Sequence, residues 1–412
     1  MQRNEILDWL RESDPARLDD LWRLADQTRQ EFVGGEVHLR GLIELSNYCV
    51  RLCGYCGLRA GNAALRRYRM SDDEVLQCVR KAVQFGYGTV VLQSGEDPEL
   101  TRQRIAGLVR RIKADTALAV TLSLGERDDD ELAAWREAGA DRYLLRFETS
   151  NRALYERIHP PRAKEPQQEQ GGRHSCLPGS AEPLAGRQEC LPHCSSGRQE
   201  RLPHRRMAIL ATLARLGYEV GSGVMIGIPG QTYDDLADDI EWFARLDLDM
   251  IGVGPYLPHP DTPLADRDAW PPAPDCQQVP ASEEMTYKVI ALTRLTCPRT
   301  NIPATTALAT LNRHEGRELG LVRGANILMP NLTPTKYRAL YEIYPDKACI
   351  AESGEACHHC LSGRIAALGR QVGQGRGDSP NREIRLLSPD TGRTPHAPRE
   401  EKTGADSASR GA

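Results

Sequence analysis

A chain of 412 residues with 53 basic and 57 acidic side chains carries a formal net charge of −4, which argues against a protein that holds nucleic acid or membrane by bulk charge. Its 12 cysteines do not suit a secreted disulfide scaffold, because that class is short and the opening "MQRNEILDWLRESDPARLDD" has no apolar signal core. No run of about 18 apolar residues is present to span a bilayer, so the expectation is a cytoplasmic protein using cysteines as metal ligands.

Residues 3–30 are predicted helical, with Ile6, Leu7, Leu10, Leu18, Leu21, Trp22 and Leu24 on helical faces, and belong to an N-terminal helical cap, 1–36. Over 37–370, apolar strands alternate with amphipathic helices. The strands are predicted at 37–46, 89–94, 118–124, 142–148, 219–227, 249–257, 301–309 and 324–330. The helices fall near 71–86, 99–114, 128–139, 205–217, 232–246 and 282–296, and "SDDE" at 71–74 is a capping signal. Strand then helix, repeated about eight times, predicts an α/β fold, a (βα)8 TIM-type barrel; an open doubly wound sheet is the alternative.

Two segments break the alternation. Residues 162–204 hold a degenerate repeat, "GRHSCLPG", "GRQECLPH" and "GRQERLPH", too poor in apolar residues to build a core, and read as a disordered insertion. Its Cys176, Cys190, Cys194, His174, His193 and His204 are zinc-ligand types, but their steps are irregular and Arg201 replaces a cysteine in the third unit. The tail, 371–412, rich in Gly, Pro, Arg and Ser, is also expected to be disordered.

Chemistry concentrates in "IELSNYCVRLCGYCGLR", residues 43–59, where Cys49, Cys53 and Cys56 follow the first strand. Each iron of a [4Fe–4S] cube takes one thiolate, so three cysteines hold three irons and leave one open to a small chelator. After a first barrel strand, that open iron would face the C-terminal mouth, where barrel active sites lie. A zinc site closed by a distant residue is the alternative. In "DRYLLRFE", Arg142, Leu144, Arg146 and Glu148 share one face of a strand. Charges facing a barrel interior predict either a polar ligand chamber or a self-satisfied salt-bridge network.

These residues resemble a family. "CVRLCGYC" is similar to the signature of radical S-adenosylmethionine (SAM) enzymes. The further stretches "RYRMS", "VVLQSGED", "VTLSLGE", "AGADRYLLRFET", "GVMIGIPGQT", "GPYLPHPDTPLA", "NIPATTALAT" and "GANILMPNLTPTKYRALYEIYP" resemble the HydE family, radical SAM maturases of [FeFe]-hydrogenase. The likeness covers roughly 3–161 and 205–370. It implies a [4Fe–4S] cluster on Cys49, Cys53 and Cys56 whose open iron binds SAM, and reductive cleavage of SAM to a 5′-deoxyadenosyl radical. It implies SAM contacts from Tyr55, Gln93, Ser94, Gly95, Glu96, Ser123, Glu148 and Arg206. The substrate cavity it implies is lined by Arg142, Arg146, Met250, Thr305, Thr306, Met329, Tyr341 and Tyr344.

As substrate, the resemblance implies an iron–cysteine complex with carbonyl and cyanide ligands, processed toward the di-iron subcluster of the hydrogenase cofactor. Expected partners are a reduced ferredoxin- or flavodoxin-type donor, HydG as precursor supplier and HydF as scaffold. A second set, Cys349-x7-Cys357-x2-Cys360, corresponds to an accessory iron–sulfur cluster carried by some members; with His358 and His359 adjacent, zinc or no metal are the alternatives. Cys78 reads as a core hydrophobe, and Cys276 and Cys297 show no partner pattern. The rival functions are a radical SAM reaction on a small organic molecule, as in methylornithine or biotin synthase, and a non-catalytic iron–sulfur scaffold.

Overall fold

The structure, a computed structural model, describes residues 1–161, 202–274 and 276–387. Ten strands are present among them: β1 (Glu36–Ser46), β2 (Thr89–Ser94), β3 (Ala119–Ser123), β4 (Arg142–Leu144), β5 (Glu219–Ser222), β6 (Met225–Ile226), β7 (Met250–Ile251), β8 (Gly254–Pro255), β9 (Ile327–Leu328) and β10 (Gln371–Val372). β1, β2, β3, β4, β5 and β7 lie side by side in that order, all parallel. Parallel bridges Met250–Asn301 and Pro303–Ile327, with β9 paired to β1, carry the sheet round to its start. The result is the expected barrel, in which residues 301–303 stand where one strand would be. β6 and β8 pair above β5 and β7 after a break. Gly223 sits at that break, where a Cβ would come within 1.8 Å of the Gly252 carbonyl oxygen.

Local sequence explains most boundaries. Ser71 opens helix Asp72–Gln84 with a reciprocal capping box to Glu74. Thr101, Ser282 and Thr232 cap the helices Arg102–Asp115, Glu283–Thr296 and Tyr233–Arg245 in the same way, by accepting from a backbone N–H in the first turn. The predicted strand 301–309 is corrected: Thr305 caps a helix, Thr306–Leu311, so extended backbone ends there. The single N-terminal helix is corrected to two, Arg3–Arg11 and Pro15–Val33. Proline cannot continue a helix but starts one well, and the Asp14 carboxylate accepts from Ala16 N at 2.8 Å. Leu24, counted on the apolar face, is 49% exposed.

The expectation of disorder from residue 371 is corrected for 371–387. β10 pairs with β1, and helix Pro380–Leu387 follows. The Gly377 carbonyl accepts from Arg40 Nη2 (2.9 Å) and Asn301 Nδ2 (3.2 Å), and Arg385 pairs with Asp247 (3.0 Å) and with Asp249. This segment folds across the lower barrel end by charge pairing instead of apolar burial, which is why its composition reads as disorder. Residues 388–412 and 162–201, with Cys176, Cys190, Cys194, His174 and His193, lie outside the described residues. His204 is described, and its Nε2 lies 2.9 Å from the Thr149 carbonyl oxygen.

Arg142 belongs to this lower layer. It is 3% exposed and donates to Glu219 (2.9 Å), Thr89 Oγ1 (2.8 Å) and the Arg376 carbonyl (3.0 Å), and it pairs with Asp378. Removing one member of a buried ion set strands the others. Arg142→Ala is expected to lower stability to denaturant by about 3–5 kcal/mol, read as a shift in the urea unfolding midpoint; an unchanged midpoint would refute this account of the lower layer.

Candidate active site

The loop after β1 is held by the Asn47 side chain and by its own backbone. Asn47 Nδ2 donates to the carbonyls of Arg66 (2.9 Å) and Leu340 (2.7 Å), while its Oδ1 accepts from Tyr68 N (2.7 Å). Val50 N donates to the Glu96 carbonyl (3.0 Å), Gly54 N to Ile158 (2.8 Å) and Gly57 N to Ile343 (3.1 Å), so the cysteine turns are tied to three walls of the barrel mouth. Arg69 makes a two-pronged pair with the buried Asp97 at 2.6 and 2.8 Å. Gly95 is required at the end of β2, because a Cβ there would lie 2.7 Å from Cys49 Cβ and 2.3 Å from the Tyr48 carbonyl oxygen.

Beside this loop is a cavity of about 310 Å³, within the range of small-ligand sites. Its polar lining includes Cys49, Tyr55, Cys56, Gln93, Ser94, Gly95, Ser123, Arg146, Glu148, Arg206, Tyr341 and Tyr344, and Leu58, Leu144, Met225, Leu257 and Ile343 are among its apolar lining residues. Tyr341 and Tyr344 come from the segment after residue 340, where Lys347 pairs with the buried Glu44 of β1. Glu148 has a left-handed backbone (φ 66°), a conformation that costs energy and clusters at functional sites. Its Oε1 lies 3.4 Å from the Tyr55 hydroxyl and its Oε2 3.4 Å from Arg146 Nη2, yet neither Glu148 Oε2 nor Arg146 Nε has a hydrogen-bond partner among the described residues.

Several sequence-predicted positions are elsewhere. Arg142 opens β4 and lines a small lower pocket with Arg40, Glu219 and Asp249, whereas Arg146, two residues past the end of β4, lines the upper cavity. Met250 is also in the lower layer, with Sδ 3.0 Å from Arg40 Nη1. Glu96, Thr305, Thr306 and Met329 do not line this cavity; Thr305 is spent on its helix cap, and the Glu96 carboxylate accepts from Glu126 N at 3.0 Å.

Sequence reasoning missed Glu126. Its buried carboxylate meets Arg51 at 2.7 Å, Arg206 at 3.1 Å and Arg205 at 3.4 Å, and accepts from the Tyr155 hydroxyl at 3.3 Å. Burial works to raise its pKa, but Arg206 and Arg51 outweigh that and hold it below the usual carboxylate range. Burial likewise opposes the charge on Arg206, and Tyr55, Tyr155, Cys53 and Glu126 together keep its pKa well above normal. The signal was available: an acidic residue just past a barrel strand faces the mouth. His159, 3.1 Å from the Tyr55 hydroxyl, was also missed; burial, aided by Arg206, pushes its pKa well below normal.

The radical SAM superfamily model matches residues 43–170. Over 354 residues the chain is 43% identical to the [FeFe] hydrogenase maturase subunit HydE of Thermotoga maritima, covering 86% of this chain and 87% of that protein. The chain belongs to the HydE family of radical SAM enzymes. A 3-methylornithine synthase of Methanosarcina acetivorans is a more distant relative, 25% identical over 314 residues, with 76% of this chain and 74% of that one covered. Two solved structures share the fold: methylornithine synthase (TM-score 0.66, 22% identity, 90% and 94% of the two chains) and the maturase HydG (TM-score 0.68, 17% identity, 94% and 77%).

HydE-family chemistry uses a [4Fe–4S] cluster and SAM, and this site's donors fit both. Cys49, Cys53 and Cys56 are free thiols, and burial raises the pKa of each, Cys53 to about 11, so a metal would displace their protons on binding. Among the described residues no three Cys, His, Asp or Glu side chains converge as ligands of a single ion. A four-iron cube takes its thiolates on separate irons. The open polar atoms of Glu148 and Arg146 give the adjoining cavity unused hydrogen-bonding capacity.

The second cysteine set is also brought together. Cys349, Cys357 and Cys360 line a separate cavity of about 160 Å³ with Arg313, Arg317 and Arg364. A hydrogen bond from the Cys357 thiol, with Arg317 3.5 Å away, lowers the Cys349 pKa. His358 instead stacks on Phe85 at 4.9 Å and lies 3.2 Å from the Tyr87 hydroxyl. Cys78 is buried in helix Asp72–Gln84, as expected of a core residue.

Two tests follow. Glu126→Gln keeps the shape but loses the charge that unites Arg51 and Arg206; SAM affinity by calorimetry is expected to fall about tenfold with iron content retained, and equal affinity would refute the role. Asp239, fully buried and accepting from Ser150 N and Oγ (2.5 and 2.7 Å), supports the turn after Glu148; burial raises its pKa to about 7. Because the folded pKa exceeds the unfolded value of about 3.9, the folded state keeps the proton longer. Its stabilisation is therefore full below about pH 4 and declines as pH rises to about 7. Asp239→Asn should flatten this slope in urea midpoints measured across that range.

Proposed function

We propose that this protein acts in [FeFe]-hydrogenase maturation, converting an iron–cysteine precursor with carbonyl and cyanide ligands toward the di-iron subcluster. The observation that carries this reading is the pairing of a three-thiol loop with a charged cavity at the barrel mouth in a chain 43% identical to a HydE. Together the cluster and SAM supply reductive cleavage of a sulfonium to a carbon radical. In this reading Cys49, Cys53 and Cys56 hold the cluster, and Gln93, Ser94, Gly95 and Ser123 present strand-end polar groups to SAM. Glu148 accepts from a SAM hydroxyl or ammonium, and Arg206 holds its carboxylate by a charge-assisted hydrogen bond. Tyr55, next to Cys56, would line the cofactor's side of the cavity.

Arg146 is the substrate-facing cation, since its Nε is unpartnered and its side chain is one-third exposed to the cavity. An anionic complex carrying an amino-acid carboxylate is the chemistry a guanidinium there recognises. Tyr341 and Tyr344 shape the opposite wall. The lower-layer ion pairs and the folded segment 371–387 close the barrel's other end, which limits water access to a reactive radical. Electrons come from a ferredoxin- or flavodoxin-type donor, the precursor from HydG, and the product passes to HydF. Cys349, Cys357 and Cys360 hold an accessory iron–sulfur cluster.

The expected result with anaerobically reconstituted protein is that infrared bands of an iron–cysteine carbonyl/cyanide complex shift on mixing. Arg146→Ala should weaken that binding about tenfold, and Cys56→Ala should abolish 5′-deoxyadenosine formation. A shift equal in Arg146→Ala would remove Arg146 from the substrate site. No shift in the unsubstituted protein would favour a small organic substrate.

A further inference from the structure

We propose that the loop Arg59–Arg66 is the docking surface for an acidic, one-electron donor protein; this rests on the cluster reading of Cys49, Cys53 and Cys56. Between Leu45 and Ser71 the chain has five arginines and no Asp or Glu, within a protein of net charge −4. Two of the five are already answered by carboxylates, Arg51 by Glu126 at 2.7 Å and Arg69 by Asp97 at 2.6 Å. Arg59, Arg66 and Arg67 have no carboxylate within ion-pair distance among the described residues. The nearest run of acids, Asp72, Asp73 and Glu74, is taken up by Arg104, Arg111 and Lys336.

The loop is built to hold its shape. Arg67 donates to the carbonyls of Asn47 (2.6 Å), Leu58 (2.8 Å), Arg59 (2.8 Å) and Asn62 (3.2 Å), so the chain wraps around one guanidinium. Arg59 lies on the cluster turn itself, with Nε 3.2 Å from the Cys53 carbonyl oxygen. The outward side consists of exposed Ala60, Gly61, Ala63, Ala64 and Arg66. Small side chains let a partner approach closely, and unneutralised cations steer an acidic one. On docking, the donor's one-electron centre is oxidised by one electron and the cluster is reduced by one, with no bond made and no proton moved.

The test replaces residues outside the SAM and cluster contacts: Ala63→Glu, Ala64→Glu and Arg66→Glu together, with Arg80→Glu, on an exposed stretch of helix Asp72–Gln84, as the charge control. Binding of a flavodoxin at low salt should weaken at least about tenfold in the triple variant, and reoxidation of reduced flavodoxin should slow to match. Arg80→Glu should change neither, and dithionite-driven SAM cleavage and iron content should stay at the unsubstituted level. Unchanged flavodoxin affinity in the triple variant, or an equal loss in Arg80→Glu, would overturn the proposal. Failure of the unsubstituted protein to cleave SAM with dithionite would instead overturn the cluster reading, and this surface with it.

Discussion

The carboxylate of Glu126 is the interaction on which the geometry of the barrel mouth depends. It stands just past β3 and meets Arg51, which lies between Cys49 and Cys53, and Arg206, which opens a helix on the far side of the cavity. A lone carboxylate so buried would cost several kcal/mol, so the arginines and the acid require each other. Through this contact the cysteine loop cannot shift without moving Arg206. Arg206 in turn donates to the Arg146 carbonyl at 2.9 Å, two residues before the strained Glu148. The cysteine loop, Arg206 and the stretch that follows β4 are thus tied together, which is the pre-organisation a site needs when its ligands are small and its reaction hard to control.

Charge inside the barrel is separated into layers. Arg40, Arg142, Glu219 and Asp249 gather at the lower end, where Asp378 from the C-terminal segment completes the balance. Arg146, Glu148 and Arg206 occupy the upper end, and Leu144 lies between the two sets on the inward face. Burial and the neighbouring Arg142 push the Arg40 pKa down to about 9, a sign of how closely the cations crowd in the lower layer. The crowding is tolerated because 376–385 brings in acids and carbonyls from outside the barrel.

What was legible in the sequence follows from the range of the forces involved. β2 was located to the residue, because "TVVLQS" is a short β-branched run between turn residues, and the cysteine loop was legible because its ligand spacing is local. Alternation placed Arg142 and Arg146 correctly on one inward face. Depth along the barrel axis was not legible, because it depends on which partners other strands supply, and so Arg142 and Met250 were assigned to the wrong layer. The folded stretch after residue 371 was hidden for a related reason: "GRGDSPNREIR" looks solvated until Asp141, Glu219 and Asp249 are known to wait at the barrel's end. Thr305 was read as strand because its capping role appears only with the helix that follows.

The two cysteine sites share a wall, and its construction decides how far one can influence the other. Helix Thr306–Leu311 presents Ala307 to the larger cavity and Ala309 to the smaller, while the segment after residue 340 carries Tyr341 and Tyr344 on one side and Cys349 on the other. Between Tyr344 and Cys349, Lys347 is pinned to Glu44, whose second oxygen accepts from Asn331 at 3.0 Å. A displacement at Cys349 must therefore break a buried ion pair to reach Tyr344, a loss on the order of several kcal/mol. The Lys347–Glu44–Asn331 contacts thus stand between the outer cysteines and the inner cavity wall.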